Sequence, residues 1–160
     1  MDYKLGCSGG SGGSEFEDDT SDTRQIGEIL IAAGEAIDSV EFRPTLKSGF
    51  TEIAVARPNK RPRSKFTHGG EGGTLHEFRL EKDEFVVSIV GTYGRQKSGV
   101  GGTIVTSLQV KTSKLSYPVL GVPKGIHFEY HALGEHEIIG LWGGSGDLLD
   151  RIGVIVRSRG

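Results

Sequence analysis

The chain has 160 residues and carries 19 Lys or Arg against 21 Asp or Glu, a formal net charge of -2. This balance disfavours a protein that holds nucleic acid through a general basic field. Cys7 is the one cysteine, which excludes an internal disulfide, and no apolar run approaches the roughly 20 residues of a membrane helix. We expect a single domain over residues 1–160, located in the cytoplasm or the nucleus, with no membrane partner.

Short segments of strand length recur from one end of the chain to the other. Glycine is unusually frequent, with 26 of 160 residues against about 7% in an average protein, and apolar residues punctuate the whole sequence. Alternating or continuous apolar residues predict strands at 25–31, 40–42, 51–56, 75–80, 85–93, 105–112, 126–131, 137–142 and 152–156. No long helix is expected. Because Trp142 and several phenylalanines fall within these strands, we predict that they belong to the core.

Two turns and two glycine clusters have matching patterns. Residues 34–38 (GEAID) and 146–150 (GDLLD) each read Gly-x-x-x-Asp, and residues 9–13 (GGSGG) match residues 69–73 (GGEGG). A glycine-started turn exposes backbone N–H groups, and an ionised carboxylate accepts two hydrogen bonds side by side, which suits neighbouring hydroxyls of a sugar ring. Each Gly-x-x-x-Asp taken alone is an ordinary turn. Their pairing with the glycine clusters predicts two copies of one site.

The chain also divides into three similar units. The first joins the two termini, the second runs from about residue 29 to 80, and the third from about 85 to 130. The third unit has glycines at 94, 99, 101 and 102, but its later turn, residues 117–125, contains no acid. We therefore predict that the third unit lacks the double acceptor.

Other chemistry receives little support from the residues. The proline-broken basic stretch 57–65 predicts a surface hairpin or loop, which is either solvated or a patch for RNA or protein. His127, His131 and His136 lack the spacing and partners of a zinc site. Asp38 and Asp150 fall in different units, unlike the closely placed carboxylates of a glycosidase. We expect a protein that is not an enzyme and that binds no metal and no cofactor.

Seven segments, in order along nearly the entire chain, resemble the jacalin-related lectins. They are 9–13 (GGSGG), 23–26 (TRQI), 36–40 (AIDSV), 68–74 (HGGEGGT), 90–94 (VGTYG), 107–112 (SLQVKT) and 144–154 (GSGDLLDRIGV). The resemblance implies a β-prism I fold, in which three four-stranded Greek-key sheets surround a pseudo-threefold axis. It also implies sugar binding at loops on one end of the prism.

The resemblance assigns roles residue by residue. The primary carbohydrate site would combine Gly13 with the turn from Gly146, in which Asp147 and Leu148 donate backbone N–H groups and Asp150 accepts. A second site, as in banana lectin, would use the turn Gly34, Glu35, Ala36 and Asp38, facing Gly72 and Gly73.

Sugar preference is also suggested by the resemblance. The chain runs unbroken through residues 12–14, which favours the mannose- and glucose-binding branch over the cleaved galactose binders. The loop 94–99 is expected to influence the choice of longer glycans. Ser8 replaces a common tryptophan, and the acidic run 14–19 is expected to repel anionic glycans. A homo-oligomer, dimer or tetramer, is expected. The alternative is a β-prism module that uses the basic stretch 57–65 for protein or RNA and keeps vestigial sugar loops.

Overall fold

The computed structural model describes residues 2–96 and 102–160, and within these ranges the chain forms fourteen strands and no helix. The strands are β1 (Tyr3–Gly9), β2 (Ser14–Glu17), β3 (Thr23–Ala33), β4 (Ile37–Leu46), β5 (Val55–Arg57), β6 (Lys60–Arg63), β7 (Thr67–Gly69), β8 (Thr74–Arg79), β9 (Val86–Arg95), β10 (Thr103–Thr112), β11 (Leu120–Gly121), β12 (Ile126–His131), β13 (His136–Ser145) and β14 (Leu149–Ser158). With no helix among the described residues, none of them contributes a helical segment that could cross a bilayer. The prediction of an all-β fold is confirmed.

The strands pair antiparallel in three four-stranded units with one shared order. The second unit is ordered β7-β4-β3-β8, the third β11-β10-β9-β12, and the first β1-β14-β13-β2. In each unit the fourth strand returns beside the first, which is the Greek-key arrangement. The first unit combines strands from the two ends of the chain. Its strand β13 also pairs with β9 of the third unit at one residue pair, Ile138 with Val86. The predicted division into three units is confirmed.

The inner faces of all three units meet in one hydrophobic core. Side chains from each unit lose nearly all of their exposure there, among them Ile29, Phe42, Ile89, Leu108, Leu141 and Ile152. The period of two in a strand sends alternate residues to this core and to the outer face. Among the residues that the structure describes, β5 and β6 pair with each other and with no strand of the three units.

A buried polar contact joins the first unit to the second. His68 Nε2 lies 2.6 Å from Asp18 Oδ1, and Asp18 Oδ2 accepts the backbone N–H of Leu141 at 2.9 Å. The ring of Phe16 stacks on His68 with the centroids 3.7 Å apart. Burial raises the pKa of Asp18, while the hydrogen bond from His68 opposes that rise. Because His68 immediately precedes Gly69, this contact fixes the base of the second glycine cluster.

Two predictions about local structure are wrong. The apolar residues within 51–56 do not form one strand: Thr51 makes an isolated bridge to Thr45, and β5 begins only at Val55. Ile53 and Val55 instead stay 79% and 67% exposed. Trp142 lies on the outer face of the first unit, half-buried, with its indole N–H donating to the carbonyl of Leu5 at 3.0 Å. The hairpin predicted within 57–65 is present.

Candidate functional site

The first loop pair consists of the glycine cluster 9–13 and the turn 146–150. The N–H of Gly10 donates to the backbone carbonyl of Asp150 at 2.8 Å, which holds the two segments side by side. A Cβ added to Gly12 would stand 2.7 Å from Asp150 Oδ2, and one added to Gly13 would stand 2.6 Å from Oδ1. The glycine backbone therefore lies against both carboxylate oxygens, an approach that a side chain would prevent.

The second loop pair, the cluster 69–73 and the turn 34–38, repeats this geometry. The N–H of Gly70 donates to the carbonyl of Asp38 at 2.9 Å. A Cβ on either Gly72 or Gly73 would stand 2.5 Å from an oxygen of the Asp38 carboxylate. Gly13 and Gly73 also share a left-handed backbone, with φ of 73° and 76°. The two loop pairs are structural copies, as the matching sequence patterns predict.

Each turn leaves backbone donors free beside its carboxylate. In the residues that the structure describes, the N–H groups of Gly13, Asp147 and Leu148 donate to no protein acceptor, and neither do those of Glu35 and Ala36. The first N–H of each turn is used internally: it donates to the carbonyl two residues later, over 2.9 Å in the first pair and 3.0 Å in the second. Each loop pair thus offers one double acceptor and several unpaired donors.

The glycines that open the two turns lie close to the facing clusters. A Cβ on Gly146 would stand 3.9 Å from the Cα of Gly13, and one on Gly34 would stand 4.0 Å from the Cα of Gly73. All predicted residues of each site are therefore brought together within their own loop pair.

Neither aspartate forms an ion pair with a described residue. Partial burial raises the pKa of Asp150, and the nearby Arg151 counteracts this rise. Burial likewise raises the pKa of Asp38, and Arg61 counteracts it. In each site the nearby guanidinium favours the ionised carboxylate without forming an ion pair with its oxygens, so those oxygens remain available to a ligand.

The third unit has the same scaffold with a different residue at the aspartate position. The N–H of Val122 donates to the carbonyl of Thr106 at 2.9 Å, which is the counterpart of the Gly10 and Gly70 hydrogen bonds. Thr106 therefore stands where Asp38 and Asp150 stand. Its hydroxyl is buried and bonds to Thr92 and to the carbonyl of Lys124, at 2.7 and 2.8 Å. The predicted lack of a double acceptor in this unit agrees with that geometry.

In the third unit, the predicted positions of the glycine cluster and of the turn are reversed. Residues 121–125 are the counterpart of the glycine clusters, because Gly121 contacts the carbonyl of Thr106 as Gly69 contacts that of Asp38. In strand order, the connection from β9 to β10 corresponds to the connections β3–β4 and β13–β14, which carry the Gly-x-x-x-Asp turns. The predicted influence of the loop 94–99 on longer glycans falls partly on residues 97–99, which lie outside the described residues.

Sequence reasoning missed Gly12, Arg151 and Arg61 as parts of the two sites. Arg151 directly follows Asp150, and its Nη1 donates to the carbonyl of Gly12 at 2.8 Å. Arg61 belongs to the basic stretch, which indicated a solvated or nucleic-acid-binding surface rather than a contact with a glycine loop. No sequence signal places Arg61 near Asp38.

The histidines on β12 form a surface cluster. His127 and His131 lie 2.6 and 2.8 Å from the two oxygens of Glu129, and all three side chains are exposed. The described residues contain no group of three or more His, Cys, Asp or Glu with the geometry to hold a metal ion.

Replacing Gly13 by alanine should damage the first loop pair. The added Cβ would meet Asp150 Oδ1 at 2.6 Å and the Ser145 carbonyl oxygen at 2.7 Å, at a backbone φ of 73°. We expect a stability loss of about 1–3 kcal/mol in urea denaturation, together with displacement of the Asp150 carboxylate. Gly134→Ala is the matched control, because its backbone φ of 60° is similar and its Cβ would meet no atom of the described residues within 4 Å. Equal stability of the two variants would contradict the close approach at Gly13.

Comparison with known proteins gives relatives over the whole chain. Residues 5–155 match the jacalin-like lectin domain. Horcolin from Hordeum vulgare is 32% identical over 153 residues, covering 96% of this chain and 95% of that protein. A mannose/glucose-specific lectin from Parkia pendula is 31% identical over 96% of this chain, which spans 31% of that longer protein.

Solved structures of similar proteins have the same fold. Wild-type Malaysian banana lectin superposes with a TM-score of 0.80 at 28% identity, covering 99% of this chain and 100% of its own. Artocarpin in complex with mannotriose has a TM-score of 0.80 at 26% identity, covering 97% of both chains. The fold is therefore the β-prism I, and the protein is a lectin. The chain belongs to the jacalin-like lectin domain family, which confirms the prediction of a non-catalytic protein.

Proposed function

We propose that the protein binds mannose- and glucose-type glycans at its two loop pairs, with Asp150 and Asp38 as the central acceptors. One observation carries this proposal: in both pairs a carboxylate without an ion pair lies against a glycine backbone and beside free N–H donors. Adjacent hydroxyls of a pyranose can donate to the carboxylate and accept from the N–H groups. Gly13, Asp147 and Leu148 would donate in the first site, and Glu35, Ala36 and Gly73 would surround the second.

The choice of sugar has two supports. Gly12 and Gly13 continue directly into β2 at Ser14, so the first loop carries no free amino group at this point. The Parkia relative is a mannose/glucose-specific lectin, and artocarpin was solved with mannotriose. Both favour mannose and glucose over galactose as the ligand of this chain.

The alternative function, an RNA- or protein-binding module that uses residues 57–65, has less support. Three of its arginines are engaged within the protein: Arg57 contacts Glu71, and Arg61 and Arg63 donate to carbonyls of the cluster 69–73. Lys60 and Lys65 are the remaining cations of this stretch. Two lysines form a weak electrostatic surface for a polyanion.

Calorimetric titration with methyl α-mannoside, methyl α-galactoside and a short RNA tests the proposal. We expect saturable mannoside binding at two sites per chain, with dissociation constants on the order of 0.1–1 mM, since about five hydrogen bonds contribute roughly 1 kcal/mol each. The galactoside should bind at least about tenfold more weakly. RNA binding that weakens with salt, without mannoside binding, would establish the alternative instead.

Assembly and location stay predictions. A homo-oligomer should show twice or four times the chain mass in sedimentation equilibrium at micromolar concentration. A fluorescent fusion of the full chain should locate to the cytoplasm or the nucleus.

A further inference from the structure

The inserted hairpin β5–β6 is fastened to the glycine cluster of the second loop pair. Arg63 donates to the carbonyls of Gly69 and Thr67 at 2.8 and 3.2 Å. Arg57 forms a two-oxygen contact with Glu71 at 2.7 and 2.9 Å. Arg61 Nη1 donates to the carbonyl of Gly72 at 3.0 Å, and its Nη2 donates to that of Gly73. Three arginines of the hairpin are therefore bound to residues 67–73.

These arginine contacts determine where the hairpin lies. A cavity of about 390 Å³ separates the hairpin from the outer face of the second unit, and its lining includes Leu30, Leu75 and Pro62. Since no tight apolar packing fills this space, the polar contacts to residues 67–73 hold the hairpin in place.

In the first loop pair, the arginine that binds the glycine cluster belongs to the strand of the aspartate itself. Arg151 follows Asp150 in β14, and its Nη1 donates to the carbonyl of Gly12 at 2.8 Å. The equivalent position in the second unit is Ser39, because Gly9 pairs with Arg151 where Gly69 pairs with Ser39. Ser39 is buried and too short to reach the carbonyl side of the loop. The second loop pair therefore lacks the arginine of the first.

Arg61 supplies the missing contact from a different element. Gly72 is the counterpart of Gly12, and each accepts a guanidinium hydrogen bond at its carbonyl, at 3.0 and 2.8 Å. In both sites the cation lies close enough to favour the ionised form of the aspartate. Two non-equivalent residues thus converge on one arrangement, in which a glycine loop is held between an aspartate and an arginine.

We infer that Arg61 is a positioning residue of the second carbohydrate site, and that the inserted hairpin makes this site competent by replacing the arginine that Ser39 cannot provide. This inference rests on the proposed function. It assigns to the basic stretch a role in binding neutral mannose- or glucose-type sugars, and the guanidinium acts through the loop and Asp38 rather than by touching the sugar.

The test isolates the second site in the Asp150→Asn background, where the first site is silent. Arg61→Gln removes the charge and keeps an NH₂ group as donor. Arg61→Lys keeps the charge, and Lys60→Ala removes a neighbouring hairpin cation as the matched control. Calorimetric titration with methyl α-mannoside should show about a tenfold weaker affinity for Arg61→Gln at neutral pH, with Lys60→Ala unchanged.

The pH dependence separates positioning from a merely structural effect. Binding requires ionised Asp38, whose pKa is raised by burial and lowered by Arg61. Without the guanidinium this pKa rises further, so mannoside binding of Arg61→Gln should be lost at a higher pH than that of the parent. Arg61→Lys should keep the parent's pH midpoint because the charge remains.

Three results would overturn the inference: the same affinity and pH midpoint in Arg61→Gln and its parent, an affinity loss with no change of midpoint, or an equal loss in Lys60→Ala. Failure of the proposed function looks different, since the Asp150→Asn protein with intact Arg61 would then bind no mannoside at all. In the opposite background, Asp38→Asn, the change Arg61→Gln should leave the first site unaffected.

Discussion

Asp150→Asn should abolish mannoside binding at the first loop pair and reduce the stoichiometry from two sites per chain to one. Asparagine has the size of aspartate but offers one acceptor oxygen and an NH₂ donor, so the second sugar hydroxyl would face a donor instead of a carboxylate oxygen. Hydrogen bonds to a charged group are each worth about 1.5–3 kcal/mol, and the change affects two of them. We expect at least a 100-fold loss of affinity at this site in calorimetric titration.

The control for this variant is Glu15→Gln, which removes one negative charge from exposed β2 beside the same loop. Its mannoside affinity should stay within about twofold of the wild type, since an exposed charge contributes little. Unchanged affinity and stoichiometry in Asp150→Asn would contradict the role of Asp150.

Asp150→Asn should lower mannoside affinity but leave the stability of the fold equal or higher. Because burial raises the folded pKa of Asp150 above its unfolded value, the ionised carboxylate destabilises the fold at neutral pH. This loss of stability disappears as the pH falls through the raised pKa and the carboxylate takes up a proton. Asparagine carries no charge, so Asp150→Asn removes the loss at every pH. Asp150→Asn should therefore unfold at an equal or higher temperature than the wild type, whereas wild-type mannoside affinity should fall as the pH drops through the same pKa.

Asp18→Ala should cause a large loss of stability. It leaves His68 Nε2 and the N–H of Leu141 without acceptors in a site where both partners are buried. Each buried polar group left without a partner typically costs about 1–3 kcal/mol, so we expect a loss of about 2–6 kcal/mol. Urea denaturation at neutral pH should show this decrease in the free energy of unfolding.

Two further variants separate the lost hydrogen bonds from lost volume. Asp18→Asn keeps an acceptor for Leu141 and should recover about half of the loss. Asp22→Ala, an exposed acid four residues later, should stay within about 0.5 kcal/mol of the wild type. An Asp18→Ala protein as stable as Asp22→Ala would show that the contact between the first and second units contributes nothing.

The architecture was largely predictable because it repeats. Alternation indicated the long strands that face the core, and the duplicated Gly-x-x-x-Asp and glycine patterns indicated equivalent loops at Asp38 and Asp150. The short strands β1, β2, β7 and β11 were missed because they are polar or glycine-rich and pair at the edges of their units. Their positions follow from hydrogen bonding to a neighbour and not from a hydrophobic period.

Contacts between distant segments were not predictable. Trp142 is apolar and large, which is typical of a core residue. Its neighbour Leu141 takes the inward position, however, and the pleat turns the side chain of Trp142 outward. The third unit was assigned in reverse because glycines alone do not distinguish a cluster from a turn. Arg61 lies in the inserted hairpin, 11 residues before Gly72 in the sequence, and only the fold shows that the two residues meet.

The backbone of Gly70 lies against that of Asp147, where an added Cβ would be 2.3 Å from the Asp147 carbonyl oxygen. The glycine cluster of the second loop pair thus contacts the turn of the first, so the two proposed binding sites lie next to each other in one chain. Once a branched glycan occupies either site, its other arm is confined nearby at an effective concentration in the millimolar range. A single protomer could therefore hold such a glycan bidentately, with avidity that needs no second subunit.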